Sequence, residues 1–158
     1  MPKIDVAATP VRVGTGYPAP HNAPCLKREN TALGNAAGLT QFGVNLTRLK
    51  PGVWSSQRHW HTHEDEFVYV LEGEVTMVTD AGREILRPGD CAGFPAGEDN
   101  AHHFINESET DVVYLVVGGR DARDACHYPD IDMFANPGRY DDPNVFVRKD
   151  GSPIGKDG

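Results

Sequence analysis

Arg58 to Glu74 reads R-H-W-H-T-H-E-D-E-F-V-Y-V-L-E-G-E, and three histidines and three acids fall within its eight residues His59 to Glu66. His59 and His61 are two apart. On an extended strand that spacing puts both rings on one face. Two imidazoles on one face, with a carboxylate a few residues on, can hold a divalent metal. The carboxylate at Glu66 opens an apolar run, Phe67 to Leu71, whose two parities are both apolar. That pattern predicts a strand buried on both faces. A carboxylate at the start of a buried strand needs a partner, because an unpaired charge in apolar surroundings is costly.

The elements that must position these side chains are short and β-like. Phe42, Val44 and Leu46 alternate with Gly43, Asn45 and Thr47, and Pro51-Gly52 closes that strand. Ser55 to His61, Glu66 to Glu72 and Val75 to Thr79 follow as strands. Asp80-Ala81-Gly82 reverses the chain into Glu84 to Arg87 as a hairpin. Cys91 to Phe94, His102 to Asn106 and Val112 to Val117 complete the series. Strands every 8 to 12 residues, divided by Pro/Gly turns, predict an all-β sandwich or barrel. Residues 1–38 are rich in proline and read as an extended arm. Residues 39–119 hold the barrel. Residues 120–158 read as an irregular extension packing back on it, with a late strand at Val145 to Val147.

Composition narrows the function. The chain has 158 residues, 39% of them hydrophobic and 24% charged, which is the composition of one globular domain. The net charge of −8 argues against nucleic acid or an anionic membrane as the main partner. The N-terminus lacks an apolar core for secretion, no apolar run is long enough to span a bilayer, and Cys25, Cys91 and Cys126 are widely spaced. These features point to reduced thiols in the cytoplasm.

A second histidine cluster lies in Pro88 to Asn106, P-G-D-C-A-G-F-P-A-G-E-D-N-A-H-H-F-I-N. Together the two segments resemble the paired motifs of the cupin superfamily. His59-x-His61, Glu66 and Gly73 match its first motif; Gly89, Pro95-x-Gly97, His102 and Asn106 match its second. Two spacings depart from the family: six residues rather than five part Gly52 from His59, and four rather than two part Gly97 from His102. Both extra stretches are expected to bulge locally. The resemblance implies a double-stranded β-helix, or jelly-roll, and metal ligands at His59, His61, Glu66 and His102. It implies a divalent transition metal (Mn, Fe, Ni, Co or Zn) and, from single-domain members, a homodimer packed sheet to sheet.

Three imidazoles and one carboxylate leave two positions open on a six-coordinate ion, which suits Lewis-acid chemistry on a small polar metabolite. The run around His59 is similar to bacterial cupins loosely called sugar-phosphate-isomerase-like. Isomerisation of a sugar or sugar phosphate is therefore the leading expectation. Iron-dependent dioxygenation and non-catalytic metabolite sensing are the alternatives. Glu66 and His63 are the candidate catalytic groups, with Glu64 and Asp65 nearby. Arg58, Trp60 and His103 have the opposite parity and are expected to face away. No basic cluster sits on the ligand face to receive a phosphate.

Overall fold

The computed structural model describes residues 3–142 and 144–154. The strands in chain order are β1 (Val11–Val13), β2 (Glu29–Ala32), β3 (Phe42–Leu49), β4 (Trp60–His61), β5 (Glu66–Glu72), β6 (Val75–Thr79), β7 (Gly82–Leu86), β8 (Cys91–Phe94), β9 (His103–Ile105), β10 (Val112–Gly119), β11 (Cys126–Tyr128), β12 (Met133–Ala135) and β13 (Phe146–Val147). A single helical turn, α1 (Leu33–Ala36), links β2 to β3. Every pairing is antiparallel. The sheet orders are β1-β2-β3-β10-β5-β8, β7-β6-β9 and β13-β12-β11-β4. This is the all-β barrel that the strand and turn spacing predicts, in the jelly-roll form that the resemblance implies.

The first two sheets close on a core of Leu49, Val68, Val70, Phe104, Val112 and Tyr114, with Val53, Val75 and Leu86 at its ends. Val68 and Val70 are fully buried, but their neighbours Phe67, Tyr69 and Leu71 remain 39–43% exposed. The expectation of a strand covered on both faces is corrected here. The long sheet packs on one side only, so β5 is half-buried, and the N-terminal arm does not cover its outer face. Instead β1 and β2 extend the sheet beyond β3, with Glu29 opposite Arg48 and Asn30 opposite Thr47.

Two motif residues shape the barrel. Gly73 has φ +72°, and a Cβ there would lie 2.4 Å from the Asp111 carbonyl oxygen, so only glycine fits the turn. Asn106 is fully buried. Its amide donates to the carbonyls of Leu49 and Thr110 at 2.8 and 2.7 Å, and its oxygen accepts from Ser108. It pins the acidic turn before β10.

The tail is more ordered than its Asp, Pro and Gly content suggests. Its strands β13, β12 and β11 form a sheet that joins β4 through β11 and bury Cys126, Tyr128, Met133 and Ala135 against Tyr17 and Phe146. Among the described residues no helix is long and apolar enough to cross a membrane.

Candidate metal centre

The extra residues before His59 run as bends, so Ser55 to His61 is not one strand; only Trp60–His61 belongs to a ladder. His59 is held instead by a bridge to His102: the amide of each donates to the carbonyl of the other, at 3.1 and 2.8 Å. That bridge places the two histidine clusters opposite each other despite both departures in spacing. β5 then delivers Glu66 into the same space.

His59 Nε2 lies 3.1 Å from His61 Nε2, and His61 Nε2 lies 3.7 Å from Glu66 Oε2. The donor atoms of these three residues all fall within 4.8 Å of one another. Donors bonded to one ion at about 2.1 Å are about 3.0 Å apart when cis on an octahedron and about 3.4 Å apart on a tetrahedron. The arrangement therefore fits a divalent ion. His102 stands differently. Its Nε2 is 3.1 Å from Glu66 Oε1, its ring stacks on Phe94 at 3.5 Å between centroids, and its buried Nδ1 has no hydrogen-bond partner.

The far ring nitrogens explain which atoms face the centre. His59 Nδ1 donates to the Gln57 carbonyl at 2.9 Å, and His61 Nδ1 donates to Asp124 Oδ2 at 2.7 Å. Each bond fixes the tautomer that leaves Nε2 free as a ligand. Burial, then the neighbouring His102 and His61, push the His59 pKa well below its ordinary value. Burial also favours a neutral His61, but hydrogen bonds to Asp124 and Cys126 outweigh it and carry that ring up to about 10. Burial alone would raise Glu66; the hydrogen bond from His102 and the charges of the three imidazoles hold it well below the usual carboxylate range.

Behind His61 lies a buried network supplied by the tail. Asp124 is fully buried and also accepts from the His63 main-chain N–H at 2.9 Å. Cys126 Sγ is 3.3 Å from His61 Nδ1 and accepts from Arg139 Nη1 at 3.4 Å. Arg139 pairs with Glu64, which is 3% exposed and also accepts from the Tyr140 hydroxyl and the Asp121 amide. Glu64 is thus one step removed from the centre, its carboxylate held by Arg139, Tyr140 and the Asp121 amide, while the buried Nε of Arg139 has no hydrogen-bond partner. The sequence reading missed Asp124, Cys126 and Arg139. Their partners are 60 to 75 positions away in the chain, and only the alternation through Cys126 to Tyr128 hinted at a strand there.

The remaining candidates separate clearly. His63 is exposed, with Nδ1 2.8 Å from Thr62 Oγ1, and it shares an outer cavity with Asp65 and Glu66. Arg58 faces away, as parity requires, and grips Asp130 with two bonds of 2.8 and 2.7 Å while also pairing with Asp80. Trp60 stacks on His127 at 4.2 Å. His103 is buried on the opposite side from the centre, with Nδ1 3.0 Å from the Ser56 carbonyl and its ring against Trp54.

Comparison with known proteins agrees with this fold. The cupin domain family matches residues 45–118. The crystal structure of a Silicibacter pomeroyi protein, called a sugar phosphate isomerase from a cupin superfamily, is 45% identical. The match covers 98% of this chain and 97% of that one, with a TM-score of 0.90. A protein from Acidithiobacillus ferrooxidans, provisionally called a sugar phosphate isomerase, is 30% identical over 83% of this chain and 82% of its own, with a TM-score of 0.71. The polyketide cyclase RemF from Streptomyces resistomycificus shares the fold, at 22% identity and a TM-score of 0.62 over 77% of this chain and 80% of its own. No curated protein matched.

Proposed function

The chain belongs to the cupin superfamily, and from that premise we propose that it is a divalent-metal-dependent enzyme that isomerises a small polar metabolite of the sugar or sugar-phosphate class. The observation that carries the reading is the convergence of His59 Nε2, His61 Nε2 and the Glu66 carboxylate inside the barrel, with both histidine tautomers set from behind. The name of the Silicibacter pomeroyi protein supports the choice of reaction.

His59, His61 and Glu66 would hold the ion, with His102 beside Glu66. When bound, the ion supplies Lewis-acid polarisation of a carbonyl or hydroxyl. Isomerisation also needs a group that removes a proton from one carbon and returns it to the next. Glu66 is ionised at neutral pH, its Oε1 accepting from His102 and its Oε2 facing His61 Nε2 at 3.7 Å, so it can take that proton only through the oxygen that also faces the ion. His63 lines the same outer cavity and is the second group able to carry a proton there. The barrel walls keep His59, His61 and His102 at 8% exposure or less, which excludes bulk water from the reacting atoms.

One observation favours a second reading. Two imidazoles and one carboxylate in a compact triad are the ligand set of non-haem iron oxygenases. The two readings part in one experiment. The chain is loaded anaerobically with Mn, Fe, Co, Ni or Zn, and aldose phosphates in deuterated water are followed by proton NMR. Isomerisation appears as loss of the C2 proton and growth of the ketose. Oxygen uptake by the iron form without any such exchange would overturn the isomerase reading in favour of oxygenation. We propose further that a second copy covers the outer face of Phe67, Tyr69 and Leu71. Light scattering on the wild type and on Leu71→Lys tests this, the variant being the smaller species.

A further inference from the structure

A cavity of about 660 Å³ opens from the candidate metal centre into the barrel. That volume lies within the roughly 300–1,000 Å³ of metabolite sites. One wall carries His59, His61 and Glu66; another carries Arg12, Arg28 and Tyr114. The two arginines come from the N-terminal arm, Arg12 on β1 and Arg28 one residue before β2. Sequence parity around the histidines showed no basic cluster because these cations arrive from a different part of the chain.

Arg28 is placed rather than neutralised. Its Nη1 donates to the Ser55 carbonyl at 2.6 Å, which ties the guanidinium to the barrel wall. Among the described residues neither Arg28 nor Arg12 forms an ion pair, although arginines 48, 58, 83, 87, 123, 139 and 148 all do. Arg28 Nε is buried with no hydrogen-bond partner, and so is the hydroxyl of Tyr114, a residue 1% exposed on the same cavity wall. Buried donors left without acceptors cost free energy unless a ligand satisfies them. Acids on the cavity wall are few. They are Glu66, at the metal end, and Asp142, which like Arg12 is exposed; the third arginine on the wall, Arg139, is already paired with Glu64.

We propose that Arg28, with Arg12 and the Tyr114 hydroxyl, seats the phosphoryl group of the substrate, while the reacting carbons lie at the His59–His61–Glu66 end. The donors of two guanidinium forks on one cavity wall suit three phosphoryl oxygens better than the two of a carboxylate. The proposal rests on the reading of the centre as a metabolite site and adds the class of metabolite: a phosphorylated one. It also assigns the arm a role in binding.

The test uses the full-length, metal-loaded chain and inorganic phosphate, titrated by calorimetry at constant ionic strength, with acetate in parallel. Wild type should bind phosphate and bind acetate more weakly. Arg28→Lys keeps the charge but loses the fork, and should weaken phosphate by about tenfold, the loss of one good charge-assisted contact. Arg12→Met should weaken it severalfold. Metal content, measured on the same samples, should not change. Should Arg28→Lys fail to fold, Arg12→Met decides, because the Arg12 side chain makes no hydrogen bond among the described residues. Phosphate that does not bind, or that binds equally to wild type and both variants, overturns the seat. A wild-type chain that holds no metal overturns the function reading instead, so the two failures are distinct.

Discussion

The candidate site has two sides of opposite kind. On the barrel side, four side chains from residues 59–102 point at one space, set there by strand pairing and by the His59–His102 bridge. On the other side, the arm and tail supply Arg12, Arg28, Asp124 and Arg139, which no local pattern connects to the centre. The barrel side offers donor atoms with free lone pairs. The arm and tail offer charge: Asp124 behind His61, and unpaired guanidiniums across the cavity. The difference teaches that the barrel decides whether an ion can be held. On the proposed reading, the extensions would set how tightly, at what pH, and beside which metabolite.

The sharpest way to break that division is to remove a barrel ligand. His61→Ala should drop bound metal from about one ion per chain to a trace by elemental analysis, since a three-donor set that loses one imidazole keeps little affinity. A variant that still holds a full equivalent would show that the centre lies elsewhere, for example on Asp124 and Cys126. Next in size is the tail's contribution. Asp124→Asn should weaken metal binding by about 10–100-fold at pH 9, the usual loss when a ligating histidine loses its orienting carboxylate. Asp124→Ala should also destabilise the fold by about 3–5 kcal/mol, because Arg139 and His61 lose a fully buried partner. No loss in either measurement would reduce the tail to packing.

The two sides were unequally legible, and the reason is physical. The His-x-His pair, Glu66 and Gly73 were legible as positions of one motif with local spacing, Gly73 at a left-handed turn. Asn106 was also visible as a motif position, though its work proved to be pinning a turn. The pairing of His61 with Asp124 closes a loop of 63 residues, and nothing in the residues between them encodes that closure. Arg28 reads in isolation as a surface cation among prolines and glycines. Its placement depends on β2 joining β3 and on a carbonyl at Ser55. The outer face of β5 misled for a related cause: an apolar alternation says which side chains want cover, not whether this chain supplies it.

The pH dependence sharpens the comparison further. A ring whose pKa is raised to about 10 carries its proton at neutral pH, so each ion bound must displace it. Affinity should therefore rise about tenfold per pH unit between roughly 7 and 9, with one proton released per ion, read by calorimetry in buffers of different ionisation heat. In Asp124→Asn the slope should flatten, since the partner that raises His61 is gone. The sign for stability is opposite. In the metal-free chain His61 has a folded value above its ordinary 6.5, so its contribution is full below 6.5 and fades as pH climbs towards 10. Asp124, held below the usual carboxylate range, loses its share only in acid. A metal-free melting temperature that rises from pH 7 to 9 would contradict the ion pair.

The smallest effect tests where the boundary between the two sides runs. His63 belongs to the histidine cluster by sequence, yet in the structure its tie to the site is the main-chain N–H that donates to Asp124 Oδ1 at 2.9 Å, while its ring is exposed. His63→Pro removes that N–H and leaves a buried carboxylate oxygen short of a donor, so it should cost about 1–3 kcal/mol and weaken metal in the manner of Asp124→Asn. His63→Ala keeps the N–H and deletes only the exposed imidazole. It should leave stability within about 0.5 kcal/mol and metal affinity within about twofold, as surface substitutions do. Turnover that falls in His63→Ala at unchanged metal content would identify the ring as a proton carrier on the outer cavity. Metal lost from His63→Ala as fully as from His63→Pro would make the imidazole a ligand. The barrel side would then extend one strand end further than the geometry places it.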